Sequence, residues 1–265
     1  MNRRLYSSLL AAIPFIALPV YGQTKPPASP AVTMARDAHP SLLVATVKPH
    51  DPESNRGGFD AVGDRFTVYG RSVFALMSFA YSLHPKEIVG APDWAKNDRW
   101  DIEGKIDTPG QPDLHQMQEM LQKLLADRFQ LHFTREKREL PVYAIRIAKG
   151  GPKLTPAAHP DALANQGASG SGPDLTQWYT NVSIGDFILG MQFFIPDRPI
   201  VDQTGLTGKY DIRLHYTPDE ARSTDANAQP GIFTAIQDQL GLKLEPVKAP
   251  VDVFVIDRVE RPGEN

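Results

Sequence analysis

Apolar residues recur along this chain with two periods. After Ser72, Val73, Leu76, Met77 and Ala80 fall at i, i+3, i+4 and i+7, one face of a helix. Ile184, Phe187, Ile188 and Met191 repeat that spacing after Ser183. Both serines stand where a hydroxyl accepts a free N–H of the first helical turn. Two more amphipathic helices are predicted, one from Leu114, Met117, Leu121, Leu124 and Leu125, the other from Ile232, Phe233, Ile236 and Leu240. Alternating apolar residues predict strands at Leu43–Pro49, Val142–Ile147 and Val253–Ile256. The pattern therefore predicts an α+β protein with mixed, mostly antiparallel sheets and helices on one face.

The same pattern occurs twice. Ser72 falls on Ser183 and Pro85 on Pro196 at a shift of 111. Ile88-Val89 falls on Ile200-Val201 at 112, and Trp100-Asp101-Ile102 on Tyr210-Asp211-Ile212 at 110. Asp127 meets Asp238 and Leu131 meets Leu242, again at 111. A nearly constant shift predicts two related strand-helix-strand-strand-helix-strand units. The expected organisation is a leader over 1–22, a Pro/Ala-rich tether over 23–41, a first unit over 42–150, a Gly/Pro/Ser linker over 151–175 and a second unit over 176–265.

Asn2-Arg3-Arg4, the apolar run from Leu9 to Val20 and the small residues Val20 and Gly22 form a secretory signal pattern. That run is too short for a membrane span, and none is expected in the mature chain. The expected location is the periplasm or the exterior. A chain of 265 residues, 41% hydrophobic and 22% charged, can bury a real core. Its net charge of −3 gives no footprint for nucleic acid. The absence of cysteine excludes disulfide scaffolds, thiol nucleophiles and thiolate metal sites. Proline is abundant, 24 in all, and Pro85, Pro196, Pro141 and Pro250 are read as boundaries that repeat between the units, the last two preceding strands.

Few motifs carry chemistry. Asp202-Gln203-Thr204-Gly205 has one residue too many for an aspartic-protease loop and reads as a turn capped by Asp202. No Ser-x-x-Lys, Walker loop or Gly-x-Gly-x-x-Gly occurs, and the seven histidines show no zinc spacing. His50 reads as surface or satisfied core even where folding brings it to a carboxylate. No cofactor or metal site is expected. The mixed-charge run Arg135–Glu139 reads as a solvated hairpin tip. Asp101 and Asp211, equivalent between the units, are the carboxylates to examine for acid–base work on a glycan. Trp94 and Trp178, beside turns or helix starts, are candidates for ligand contact, whereas Trp100 reads as core. With Asp202, these are the candidate contact residues.

The runs LLVATVKP, RFTVYGRSVFALMSFAY, IVGAPDW, LLADRFQLHFTREKRELPVYAIRIAKGGPKL, RPIVDQTGLTGKYDI and LGLKLEPVKAPVDVFVIDRVERPGEN resemble a family of exported proteins of unknown function. That family is abundant in soil acidobacteria and is sometimes fused to membrane metallopeptidases of the β-lactam-sensor type. One departure is visible: Tyr69-Gly70-Arg71-Ser72 stands where the family usually has Asn-Val-Thr or a similar cap. The resemblance implies an exported domain and no catalytic residue. The expectation is a non-enzymatic binding or interaction module of the cell envelope, its partner an envelope protein or cell-wall component. The alternative is an envelope hydrolase acting on glycan or peptide through carboxylates.

Overall fold

A computed structural model describes residues 32–171, 174–192, 194–195, 197–218 and 229–263. The expected leader, most of the expected tether and Pro196 lie outside them. Strands β1 (Leu42–Pro49), β2 (Gly58–Val62) and β3 (Arg65–Ser72) lead into helix α1 (Val73–Ala80). A 3-10 turn (Pro85–Glu87) precedes β4 (Ile88–Val89), α2 (Asp93–Asn97), β5 (Arg99–Ile106), α3 (Leu114–Arg128) and the long β6 (His132–Ile147). Then come β7 (Thr155–Pro156), β8 (Asn165–Ser171), β9 (Asp174–Val182), α4 (Ile184–Met191), β10 (Ile200–Asp202), β11 (Tyr210–Tyr216), α5 (Ile232–Leu240) and β12 (Leu242–Arg258). The architecture is α+β.

The helices begin where the sequence places them. The Ser72 hydroxyl accepts the Ala75 N–H at 3.2 Å, and the Ser183 hydroxyl accepts the Asp186 N–H at 3.1 Å. Each satisfies a donor the first turn leaves open. Helix α5 ends at Gly241 in the left-handed conformation (φ 64°), where a side chain would collide with the Gly151 carbonyl.

Three four-stranded sheets result. Two are antiparallel, with orders β1-β5-β3-β2 and β7-β11-β9-β8. The third, β10-β6-β12-β4, joins the halves of the chain. In it β6 runs antiparallel to β12 from Ile147↔Leu242 to His132↔Arg258. The short flanking strands pair in parallel with the long strand of the opposite half: β4 with β12 at Ile88↔Phe254, and β10 with β6 at Ile200↔Tyr143. Pairing thus crosses between the halves in both directions.

Packing crosses with it. Phe254 of β12 is buried in the first core among Leu76, Met77, Leu121 and Leu125, stacked on Phe133 with ring centroids 4.1 Å apart. Ile145 of β6 is buried in the second core with Phe187, Ile188, Leu214 and Ile236. A third cluster, Val142, Ala249, Val251 and Val253, lies on the ribbon itself with Val89 and Val201 at its flanks. Between the halves, Lys86 donates its ammonium to the Asp197 carbonyl.

Four expectations change. The linker stretch 151–175 holds β7, β8 and the start of β9. Its glycines misled the reading: at Gly167 a Cβ would sit 2.2 Å from the Trp178 ring, so the strand needs glycine for the indole to lie across it. The end of the tether is docked, since Met34 is buried and its N–H donates to the Gln111 carbonyl at 2.9 Å. The run Arg135–Glu139 is no hairpin tip but the exposed part of β6, with Lys137 paired to Asp252 at 3.2 Å and Arg138 to Glu136 at 2.7 Å. Pro141 and Pro250 likewise lie inside long strands, where β10 and β4 leave the outer edges open. Proline is tolerated at such an edge because no ladder bond is lost there.

Because the cores share strands, the halves are expected to unfold together. In Trp178→Phe, fluorescence follows Trp94 and Trp100; in a Trp94→Phe/Trp100→Phe double variant it follows Trp178. In both, the fluorescence and far-UV circular dichroism midpoints in urea should coincide. Phe254→Ala should lower stability by about 3–5 kcal/mol and keep a single transition. A biphasic trace with each fluorophore following one phase would contradict the shared core.

Glu87 adds a pH dependence. Burial pushes its carboxyl up from 4.5 to about 7, against the opposing bond from the His84 N–H and with Asp252 adding to the rise. The folded chain therefore holds this proton between those values while the unfolded chain releases it. Its contribution to stability is complete below about 4.5 and is lost as pH rises through about 7. Glu87→Gln should flatten Tm across that interval, as measured by differential scanning calorimetry.

Candidate functional site

Asp101 and Asp211 lie in different sheets, and each holds a turn of its own half. The β3–β5 register slips between Val68 and Arg71, where Gly70 takes the left-handed conformation (φ 61°). Its N–H donates to Asp101 Oδ1 at 3.0 Å, and His50 Nδ1 meets the same oxygen at 2.6 Å in a buried pair. In the other half Asn181 is left-handed (φ 57°), and its N–H donates to Asp211 Oδ1 at 2.8 Å. The Ala158 N–H takes Oδ2 at 3.1 Å. Those two backbone bonds, Ala158 first, hold the Asp211 carboxyl below its ordinary range, with His159 nearby adding to the effect. Each acid fixes the residue that turns a strand into the following helix. Asx chemistry and glycine are the two usual ways to reach that conformation.

The other predicted residues also serve local structure. Asp202 Oδ1 accepts both the N–H and the hydroxyl of Thr204 at 2.8 Å, an Asx turn. Trp94 is half-buried on the first core with the Arg261 guanidinium 5.1 Å above its ring, and Arg261 pairs with Asp98 at 2.9 Å. Trp178 lies across Gly167 on the β7-β11-β9-β8 sheet. None of the five lines the main cleft.

That cleft opens where the free edge strands of the two antiparallel sheets, β2 and β8, meet the first turns of α3 and α4. Its volume is about 560 Å³, and a recess of about 240 Å³ adjoins it across Asp113, Leu114, Leu163, Ala164 and Asp186. Phe59 and Phe79, stacked with centroids 4.4 Å apart, line it together with Leu114, Met117, Leu163 and Val182. Its charged residues are Asp60, Asp113 and Asp186, with no lysine or arginine. Arg36, Lys209 and His115 lie in the recess, where Arg36 is paired with Asp161 at 3.2 Å.

Two of the acids owe their positions to helix caps. Asp113 Oδ1 accepts the Gln116 N–H at 2.8 Å, and Gln116 Oε1 accepts the Asp113 N–H at 3.0 Å. Asp186 Oδ2 accepts from the Ser183 N–H at 3.1 Å and from its hydroxyl at 2.7 Å. The other Asp186 oxygen lies 3.7 Å from His115 Nε2. Serine, carboxylate and imidazole are thus together in the wrong order for nucleophilic catalysis: the hydroxyl donates its hydrogen bond to the carboxylate, and the imidazole lies on the carboxylate's other oxygen. Among the described residues, no group of three or more His, Asp or Glu side chains is placed to hold a metal ion. The capping boxes Asp113-x-x-Gln116 and Ser183-x-x-Asp186 were the sequence signals for these acids. They mark helix starts but do not say that two such starts share a cleft.

Replacing Asp101 by Asn removes a charged acceptor from the Gly70 N–H and from His50. Asp101→Asn should cost about 1–3 kcal/mol in urea denaturation and leave the cleft intact. An equally stable variant would contradict the turn-holding role.

Among the described residues, no helix is long and apolar enough to cross a membrane. No curated protein and no solved structure matches the chain. Residues 74–259, from the first residues of α1 to just past β12, match the family model described as a protein of unknown function (DUF3738). By this match, which spans most of the chain, the protein belongs to the DUF3738 family.

Proposed function

We propose that the protein is an exported, non-enzymatic binding module of the cell envelope, and that its ligand sits in the cleft between β2 and β8. The observation that carries this reading is the cleft itself: an apolar, acid-bearing groove at two free strand edges, with no activated nucleophile. Export rests on the leader pattern of residues 1–22. The resemblance to exported acidobacterial domains, some fused to membrane metallopeptidases, makes an envelope peptidase or a cell-wall component the partner class to try first.

The module is also proposed to be an internal duplication. The shift of 110–112 in the sequence supports this, as does the agreement of sheet orders, β1-β5-β3-β2 with β7-β11-β9-β8. Gly70 and Asn181, 111 apart, share one conformation and one kind of carboxylate partner. The reading as a glycan hydrolase loses support because Asp101 and Asp211 are acceptors for their own turns in separate sheets.

Ala164, half-buried in the cleft wall, gives the test. Ala164→Trp fills the groove and should leave the circular dichroism spectrum unchanged. The purified protein is titrated with peptidoglycan fragments and with detergent-extracted envelope proteins, and assayed against a glycan and peptide substrate panel. Saturable binding that Ala164→Trp weakens at least about tenfold, without turnover, is expected. Turnover of any substrate, no saturable binding, or binding that ignores the substitution would each overturn the reading.

A further inference from the structure

We infer that the cleft takes an extended peptide carrying an apolar residue followed two positions later by arginine or lysine, its backbone paired to the free edge of β8. This deepens the cleft reading and rests on it.

The chain's own segment Val32–Arg36 supplies the pattern. It lines the recess, and around Thr33 its backbone bridges to Gln111 before the chain turns at Arg36: the Met34 N–H donates to the Gln111 carbonyl at 2.9 Å, and the Gln111 N–H donates to the Val32 carbonyl at 2.7 Å. Met34 is buried as an anchor, and Gly110 (φ 108°) makes room, since a Cβ there would lie 2.7 Å from the Met34 backbone. Two residues on, the Arg36 guanidinium meets the carbonyl and carboxylate of Asp161, on the approach to β8. Backbone pairing, an apolar anchor and a cation two positions later thus already occur at one end of the groove.

The main cleft repeats these features without an occupant segment among the described residues. The Phe59–Phe79 pair offers an apolar seat, and Asp60 and Asp186 offer carboxylates with no lysine or arginine in the lining. β8 pairs on one side only, with β9. Its sequence, NQGASGS, contains no proline or charged residue to discourage a further strand. The open edges of β6 and β12, by contrast, carry Pro141, Pro246 and Pro250 with charged neighbours. An exposed edge beside side-chain pockets is the arrangement used in strand addition, where main-chain bonds give affinity and pockets give specificity.

The test measures fluorescence anisotropy with a labelled decapeptide that repeats the chain's own motif, Val-Thr-Met-Ala-Arg-Val-Thr-Met-Ala-Arg. One control replaces both arginines by glutamate, and another methylates alternate backbone nitrogens. Both controls should bind about tenfold more weakly or worse. Asp60→Asn, at an exposed carboxylate, should weaken the arginine peptide about threefold and reduce its salt dependence. Bound peptide should slow amide hydrogen exchange in β8. Equal binding of all three peptides, or protection that leaves β8 unchanged, would overturn the inference. If no peptide binds while Ala164→Trp still abolishes binding of a cell-wall fragment, this inference fails and the cleft reading stands. If peptide binding survives Ala164→Trp, both fail.

Discussion

The antiparallel pairing of β6 with β12 is the constraint on which the rest of the structure depends. It sets opposite each other two segments separated by more than a hundred positions at one end of the ribbon, and by fewer at the other. Glu139 and Pro250, 111 positions apart, themselves face one another in this ladder. Around that point the ribbon sends Phe254 into one core and Ile145 into the other, so neither core closes without strand from the opposite half. Burying one phenylalanine is worth about 2–3 kcal/mol, a sizeable share of the margin by which a domain stays folded. The sheets that present β2 and β8 to a common cleft are held on this ribbon, and the cleft exists because the ribbon does.

The two halves reach equivalent turns by different means. One uses glycine in the left-handed conformation with the His50 imidazole on its acid; the other uses asparagine with the Ala158 amide in that place. What is common is the electrostatic requirement: a carboxylate receiving an amide that the kinked strand has withdrawn from its ladder. The imidazole is bulkier than a backbone amide, and it lies so near Gly70 that a Cβ there would be 3.1 Å from its ring nitrogen. Glycine is fixed in one half by this crowding, whereas asparagine is tolerated in the other.

Helices and strands were legible wherever apolar spacing was regular, as at Leu76 and Met77 or at Phe187 and Ile188. Caps were legible from Ser72 and Ser183, because capping depends on neighbours within one turn. Strand β8 was hidden because period and propensity both fail in NQGASGS; the indole of Trp178 from the next strand explains Gly167, and the Asp174 carbonyl explains Gly170. The length of β6 was hidden because Thr134–Glu139 are exposed and carry no apolar alternation, and Lys137 finds its partner on β12 rather than along the sequence. Of the site, Asp202, Asp101 and Asp211 were visible as polar residues at strand ends. The cleft was not visible, since its walls come from β2, α1, α3, the approach to β8 and α4, which only the tertiary fold assembles.

The position of β12 has one more consequence, for the order of events during synthesis. The strand that completes the first core, β12, is the last of the described elements, ending at Arg258. While a ribosome is still extending the chain, the first half lacks Phe254 and the whole partner of β6. Long-range pairing of this kind forms late and slowly. The strand exchange that stabilises the finished protein thus also makes each half wait for the other: β6 has no long partner, and the first core no Phe254, until β12 has been made.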